Sequence, residues 1–145
     1  MNVNWASPVA VPGLIIAPTA KGAPVVALKP DGKGDVTADS KIRIWEYNRT
    51  PDVPSPVIGG DIVYLCMENG NLTALKADSG ELAWNTARPG TVSLLQSGEV
   101  LLVGGDGKIA AFHSGSGREL WSLDVQPGRK SSGSSGRPPI LLRGM

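Results

Sequence analysis

Tryptophan, glycine and alanine recur at fixed offsets along this chain, and a repeat of that kind constrains a fold more tightly than any single motif. The clearest unit runs from Val53 to Trp84. It opens on Ser55, Pro56 and Val57, continues through an apolar run at Ile62 to Cys66, and reaches a turn signal at Asn69 and Gly70. Leu72, Ala74 and Leu75 then lead to Gly80 and Trp84. A shift of 37 residues brings the order back. Val100 to Val103 is the apolar run, Asp106 and Gly107 are the turn, and Ile109, Ala111 and Phe112 lead to Gly117 and Trp121. An earlier unit matches at a shift of 48, with Ser7, Pro8 and Val9 at its start and Leu14 to Ala17 as its apolar run. It carries one extra residue near Lys21 and Gly22, and about eight more ahead of Trp45. Trp5 falls outside the repeat's tryptophan position.

Each unit reads as short strands joined by tight turns. Asn-Gly and Asp-Gly between apolar runs are strong hairpin signals, because both turn residues must take positive φ. Gly80 and Gly117 each lie four residues before a tryptophan, where a second tight turn is expected. Pro8 and Pro56 sit near strand starts, where proline is tolerated. No segment of ten or more residues keeps a 3.6-residue apolar period, so little helix is expected.

The stretches ALKADSGELAW at Ala74 to Trp84 and AFHSGSGRELW at Ala111 to Trp121 resemble the tryptophan-docking repeat of pyrroloquinoline-quinone-like (PQQ-like) β-propellers. The resemblance covers roughly residues 6–125. It implies an all-β chain, a partial β-propeller of about three four-stranded antiparallel blades plus a stub of a fourth. The blades are expected at about 6–46, 53–85 and 91–122 within a repeat region of 1–126, and residues 127–145 read as a Ser/Gly-rich basic loop and an apolar stub. Pro139, Ile140 and Leu141 are placed as the opening of that next blade. The resemblance also implies that Trp45, Trp84 and Trp121 dock between neighbouring blades, with Ala74, Gly80, Ala111 and Gly117 at the supporting positions. WD-type repeats want Asp after the tryptophan, but Asn85 and Ser122 stand there. Kelch-type repeats want paired glycines after an apolar run, whereas Gly59 and Gly60 precede theirs.

The search for chemistry gives no catalytic, cofactor-binding or metal-binding residue. His113, the one histidine, is equivalent through the repeat to Lys29 and Lys76, which makes it an exposed surface residue. Cys66 aligns with Val103 and reads as a buried strand residue; a lone cysteine forms no internal disulfide. Asp31, Asp35 and Asp39 hint at a calcium loop, but Lys33 and Val36 occupy the third and sixth positions where a ligand and a glycine are needed. Asp61, Asp78 and Asp106 read as turn formers. Gly32-Lys33-Gly34 and Gly115-Ser116-Gly117 lack the third glycine of a dinucleotide fingerprint.

Net charge is +1, and the aromatic residues do not interleave with basic ones, so nucleic acid is not an expected partner. Arg129, Lys130, Arg137 and Arg143 form a basic tail without an acid, which reads as a solvated loop. No apolar run is long enough to cross a bilayer, and no signal-peptide pattern opens the chain. The family resemblance implies a periplasmic or secreted setting. The expected function is a non-catalytic interaction scaffold, as PQQ-like propellers serve in bacterial outer-membrane protein assembly, with further blades or a protein as partner. The alternatives are a piece of a PQQ-dependent dehydrogenase whose PQQ and calcium ligands lie outside this chain, and a truncated chain with no independent function.

Overall fold

A computed structural model describes residues 6–20, 22–48, 54–67, 71–87 and 93–125. Among these residues there are twelve strands and no helix. They form three four-stranded antiparallel sheets, each a simple meander in chain order. The first holds β1 (Val9–Val11), β2 (Leu14–Pro18), β3 (Val25–Leu28) and β4 (Arg43–Tyr47). The second holds β5 (Val57–Gly59), β6 (Ile62–Cys66), β7 (Asn71–Lys76) and β8 (Leu82–Ala87). The third holds β9 (Ser93–Ser97), β10 (Val100–Gly105), β11 (Lys108–His113) and β12 (Glu119–Asp124). The innermost strands β1, β5 and β9 lie side by side, so the sheets stack like the blades of a propeller.

The middle sheet explains why its sequence is a continuous apolar run. Successive side chains of a strand point to opposite faces, and here both faces are covered. Val63, Leu65, Met67 and Leu75 pack with Ile16, Val25, Ala27 and Trp45 of the first sheet. Tyr64, Cys66, Leu72 and Ala74 pack with Leu101, Val103, Ala110 and Phe112 of the third. No buried side-chain polar atom among the described residues lacks a hydrogen-bond partner.

The Asp106–Gly107 turn takes the expected form. Gly105 pairs with Lys108, and the two residues between have φ of 51° and 70°. Asn69 and Gly70 lie outside the described residues, as do Trp5 and the stub at residues 127–145. The described pairs flanking that stretch are spaced differently from their counterparts in the third sheet, with the Met67 amide donating to the Asn71 carbonyl at 2.8 Å. The difference moves the alignment by one. Cys66 pairs with Leu72, while Gly104 pairs with Ile109, the counterpart of Leu72. Cys66 is therefore equivalent to Gly104 and not to Val103, although it is buried as expected.

The extra residues before Trp45 form the loop 29–42, closed by the Lys29 amide on the Ile42 carbonyl at 2.8 Å. The shorter hairpins close in the same way, Lys76 on Glu81 and His113 on Arg118. The insertion thus extends a hairpin without disturbing the sheet. The two kinds of sheet face differ in what they bury, and that difference is measurable. Leu65→Ala in the sealed middle sheet should cost about 2–5 kcal/mol, and Leu123→Ala on the open face of the third sheet should stay within about 0.5 kcal/mol. Urea melts of both variants check this.

Candidate functional site

Each outer hairpin carries the same irregularity. Ala27 pairs with Trp45 and Leu28 with Arg43; Ala74 pairs with Trp84 and Leu75 with Leu82; Ala111 pairs with Trp121 and Phe112 with Glu119. One residue is skipped on the outer strand each time: Ile44, Ala83 and Leu120. A bulge re-aims the side chain beside it, and here it sets an indole directly across from a fully buried alanine. A larger side chain at the alanine would occupy the volume that the indole fills.

Two of the three indoles reach the next sheet. Trp45 Nε1 donates to the carbonyl of Ala77 at 2.8 Å, and Trp84 Nε1 donates to the carbonyl of Ser114 at 2.9 Å. Ala77 and Ser114 are the same position one repeat apart, each the first residue of an outer-hairpin turn. That turn also holds the repeat's glycine. The Gly80 amide bonds back to the Lys76 carbonyl, and the Gly117 amide to the His113 carbonyl, both at 2.8 Å. With φ of 72° and 73°, the two glycines occupy the left-handed region that L side chains disfavour. They are also pressed by the preceding sheet's indole. A Cβ on Gly80 would lie 2.7 Å from Cδ2 of Trp45, and one on Gly117 would lie 2.4 Å from Cε3 of Trp84. Each glycine therefore serves the tryptophan of the sheet before it, and not the tryptophan four residues ahead.

The second junction has an additional contact. Tyr64 Oη donates to the same Ser114 carbonyl at 3.2 Å, and its ring centroid lies 6.1 Å from that of Trp84 at a tilt of 46°. Burial pushes the Tyr64 phenol up; the Ser114 side chain opposes this and the Asp61 charge adds to it. At the inner end of the stack, Gln96 lies over Gly59, where a Cβ would sit 2.5 Å from Cδ. The Ser7 amide donates to Ser55 Oγ at 2.9 Å across the first junction.

Trp121 departs from the expectation. It is 49% exposed, β12 is exposed along its whole length, and the indole docks on no turn among the described residues. The physical reason is position: Trp121 belongs to the last described sheet, so no following hairpin offers it a carbonyl and a glycine. His113 also differs from the exposed residue expected. It is half-buried, with Nδ1 3.1 Å from Ser116 Oγ of the adjoining turn. The aspartates of the inserted loop are turned onto their own backbone. Asp35 accepts from the amide and hydroxyl of Thr37, which holds its carboxyl below the usual range, and Asp39 accepts from the Lys41 amide. Among the described residues no three His, Cys, Asp or Glu side chains gather as a metal site.

The acceptors Ala77 and Ser114 were not visible in the sequence. A main-chain carbonyl is indifferent to its side chain, so the two positions share no residue type. Tyr64 was missed for a related reason: its hydroxyl crosses to a residue 50 positions away. The one available signal was the constant offset of three residues between each acceptor and its glycine.

The family model PQQ_2, described as "Outer membrane protein assembly factor BamB", matches residues 4–143. The chain is 36% identical over 80 residues to the outer membrane protein assembly factor BamB of Yersinia pestis, covering 53% of this chain and 20% of that protein. Among solved structures it is similar to BamB from Moraxella catarrhalis, with a TM-score of 0.65, 18% identity, and coverage of 85% of this chain and 37% of that one. A europium-containing methanol dehydrogenase gives a TM-score of 0.66 at 16% identity, covering 86% and 26%. The quinohemoprotein alcohol dehydrogenase of Comamonas testosteroni gives 0.64 at 18%, covering 84% and 21%. The chain spans about a fifth of the curated relative and just over a third of the Moraxella structure. With three meander sheets stacked edge to axis and the PQQ_2 pattern running along nearly all of its length, the chain belongs to the BamB-like family of PQQ-like β-propeller repeats.

Proposed function

We propose that this chain is a non-catalytic protein-interaction scaffold, an arc of a larger PQQ-like propeller that works in outer-membrane protein assembly. The observation that carries this reading is the family match over residues 4–143. The arrangement of the sheets supports it. Main-chain carbonyls, indoles and aliphatic side chains occupy the junctions, a composition suited to holding a rigid platform. Further blades or a protein partner would cover the outer faces, and the setting would be the periplasm. In this reading the blades run over about 6–46, 53–85 and 91–122, with residues 127–145 as a Ser/Gly-rich loop and the stub of a possible next blade.

The dehydrogenase-like fold raises a second reading, in which PQQ and calcium are bound by the parent protein. Among the described residues no three His, Cys, Asp or Glu side chains gather as calcium ligands, and Asp35 and Asp39 are bonded within their own loop. Titration calorimetry with PQQ and calcium should give no saturable heat. The tagged chain should co-elute with a purified outer-membrane assembly complex in size-exclusion chromatography. Stoichiometric PQQ binding without co-elution would reverse the assignment.

In this reading Trp45 and Trp84 are the docking residues, Ala74 and Ala111 make room beside the indoles, and Gly80 and Gly117 are their seats. Trp84→Ala should cost about 3–5 kcal/mol, whereas Trp121→Ala should change stability by no more than about 0.5 kcal/mol. Gly117→Ala should cost more than Gly13→Ala. Both glycines have positive φ, but a Cβ at Gly13 meets open space and one at Gly117 meets an indole. Equal midpoints for Gly117→Ala and Gly13→Ala in urea would count against the seat. Tyr64→Phe removes one of two donors on Ser114 and should cost about 0.5–1.5 kcal/mol, read from the same melts.

A further inference from the structure

The tryptophan, its carbonyl acceptor and the receiving glycine are alike at the two internal junctions. A main-chain carbonyl does not tell one turn from another, so these parts alone would let the third sheet dock on the first as readily as on the middle one. The junctions differ at the inner strands. Register puts Val11, Gly59 and Ser97 at one place, the last residue of β1, β5 and β9. Ala10, Ile58 and Gln96 share the place before it. Val57 packs toward the third sheet and Ile58 toward the first, so strand alternation turns Gly59 toward the third. By register the first junction thus pairs Val11 with Ile58, and the second pairs Gly59 with Gln96.

The glycine answers to the glutamine and not to its own backbone. Gly59 does not have the positive φ of Gly60 beside it. Glycine inside a strand weakens the strand, and it marks places where another group comes close. A Cβ on Gly59 would lie 2.5 Å from Cδ, 2.7 Å from Oε1 and 2.8 Å from Cγ of Gln96. Gln96 does not swing clear without loss. Its Nε2 donates to the carbonyl of Gly98 on its own hairpin, and the side chain is half-buried.

We propose that Gly59 and Gln96 are a lock on sheet order. The third sheet seats behind the middle sheet and is refused by the first, where Val11 carries the Cβ that Gln96 does not accept. Discrimination of this kind comes from a clash with the wrong partner as much as from contacts to the right one. Repeats of near-identical shape need such a clash, because misassembly and swapping between like units are their characteristic failures in folding. The lock lies wholly between the middle and third sheets. It goes beyond the scaffold reading and is independent of what covers the outer faces.

Urea melts of the full chain test the pair. Gly59→Val and Gln96→Ile should each lower the midpoint. The double variant copies the pair of the first junction and should recover most of the loss. Losses that simply add would overturn the pairing. Refolding separates a lock from a mere fit. The double variant has Val and Ile at both junctions, so its third sheet can seat on either earlier sheet. Diluted from urea at rising protein concentration, it should give a smaller share of native-sized product than the unaltered chain in size-exclusion chromatography, although its midpoint is close to that of the unaltered chain. Equal shares at every concentration would overturn the lock. Should the double variant fail to fold, the converse exchange, Val11→Gly with Ile58→Gln, also makes the two junctions alike and carries the same comparison.

Discussion

Two indole N–H groups, each bonded to a main-chain carbonyl of the following sheet, fix the register of three meanders that apolar packing holds in one stack. Every other feature of the outer hairpins bears on that contact. The bulge aims the tryptophan, the alanine opposite it leaves room, and the next hairpin's glycine removes the Cβ that would block the ring. A buried amide or indole donor without a partner costs free energy comparable to a lost hydrogen bond. The turn that presents its carbonyl outward, toward the preceding sheet, is therefore part of the same device.

The stack is directional as a consequence. A tryptophan on one sheet engages a turn on the next, so the two faces of a sheet are never alike. The middle sheet shows this most fully, with Val63, Leu65 and Leu75 on one side and Tyr64, Leu72 and Ala74 on the other. The outer sheets each satisfy one of their two faces, which leaves a tryptophan-bearing surface at one end and an aliphatic surface at the other. Repeat proteins commonly behave this way, since each unit buries its apolar faces only against neighbours.

Much of the fold was legible because β-structure writes its turns in residue type. The Asp106–Gly107 hairpin followed from the left-handed φ that such a turn demands, and the absence of helix among the described residues followed from the missing 3.6-residue period. The candidate site was only partly legible. Trp84 and Gly117 could be singled out, but their relation to each other could not. In the sequence each glycine sits nearest the tryptophan four residues after it, and local turn chemistry alone explains that spacing. Trp121 looked identical to Trp84 in sequence, yet the one is half-exposed and the other is bonded across a junction. The alignment of Cys66 with Val103 also failed by one place, because loop length is set by backbone closure and not by residue identity.

Residue periodicity and turn chemistry act within a few positions of themselves, and on their own they determined the strands, the hairpins and the three-fold repetition. What lies across a gap between sheets depends on groups far apart in the chain, many of them main-chain atoms that no side chain advertises. The partner of each indole, the second duty of Gly80 and Gly117, and the open faces at either end were therefore decided only when the sheets stacked.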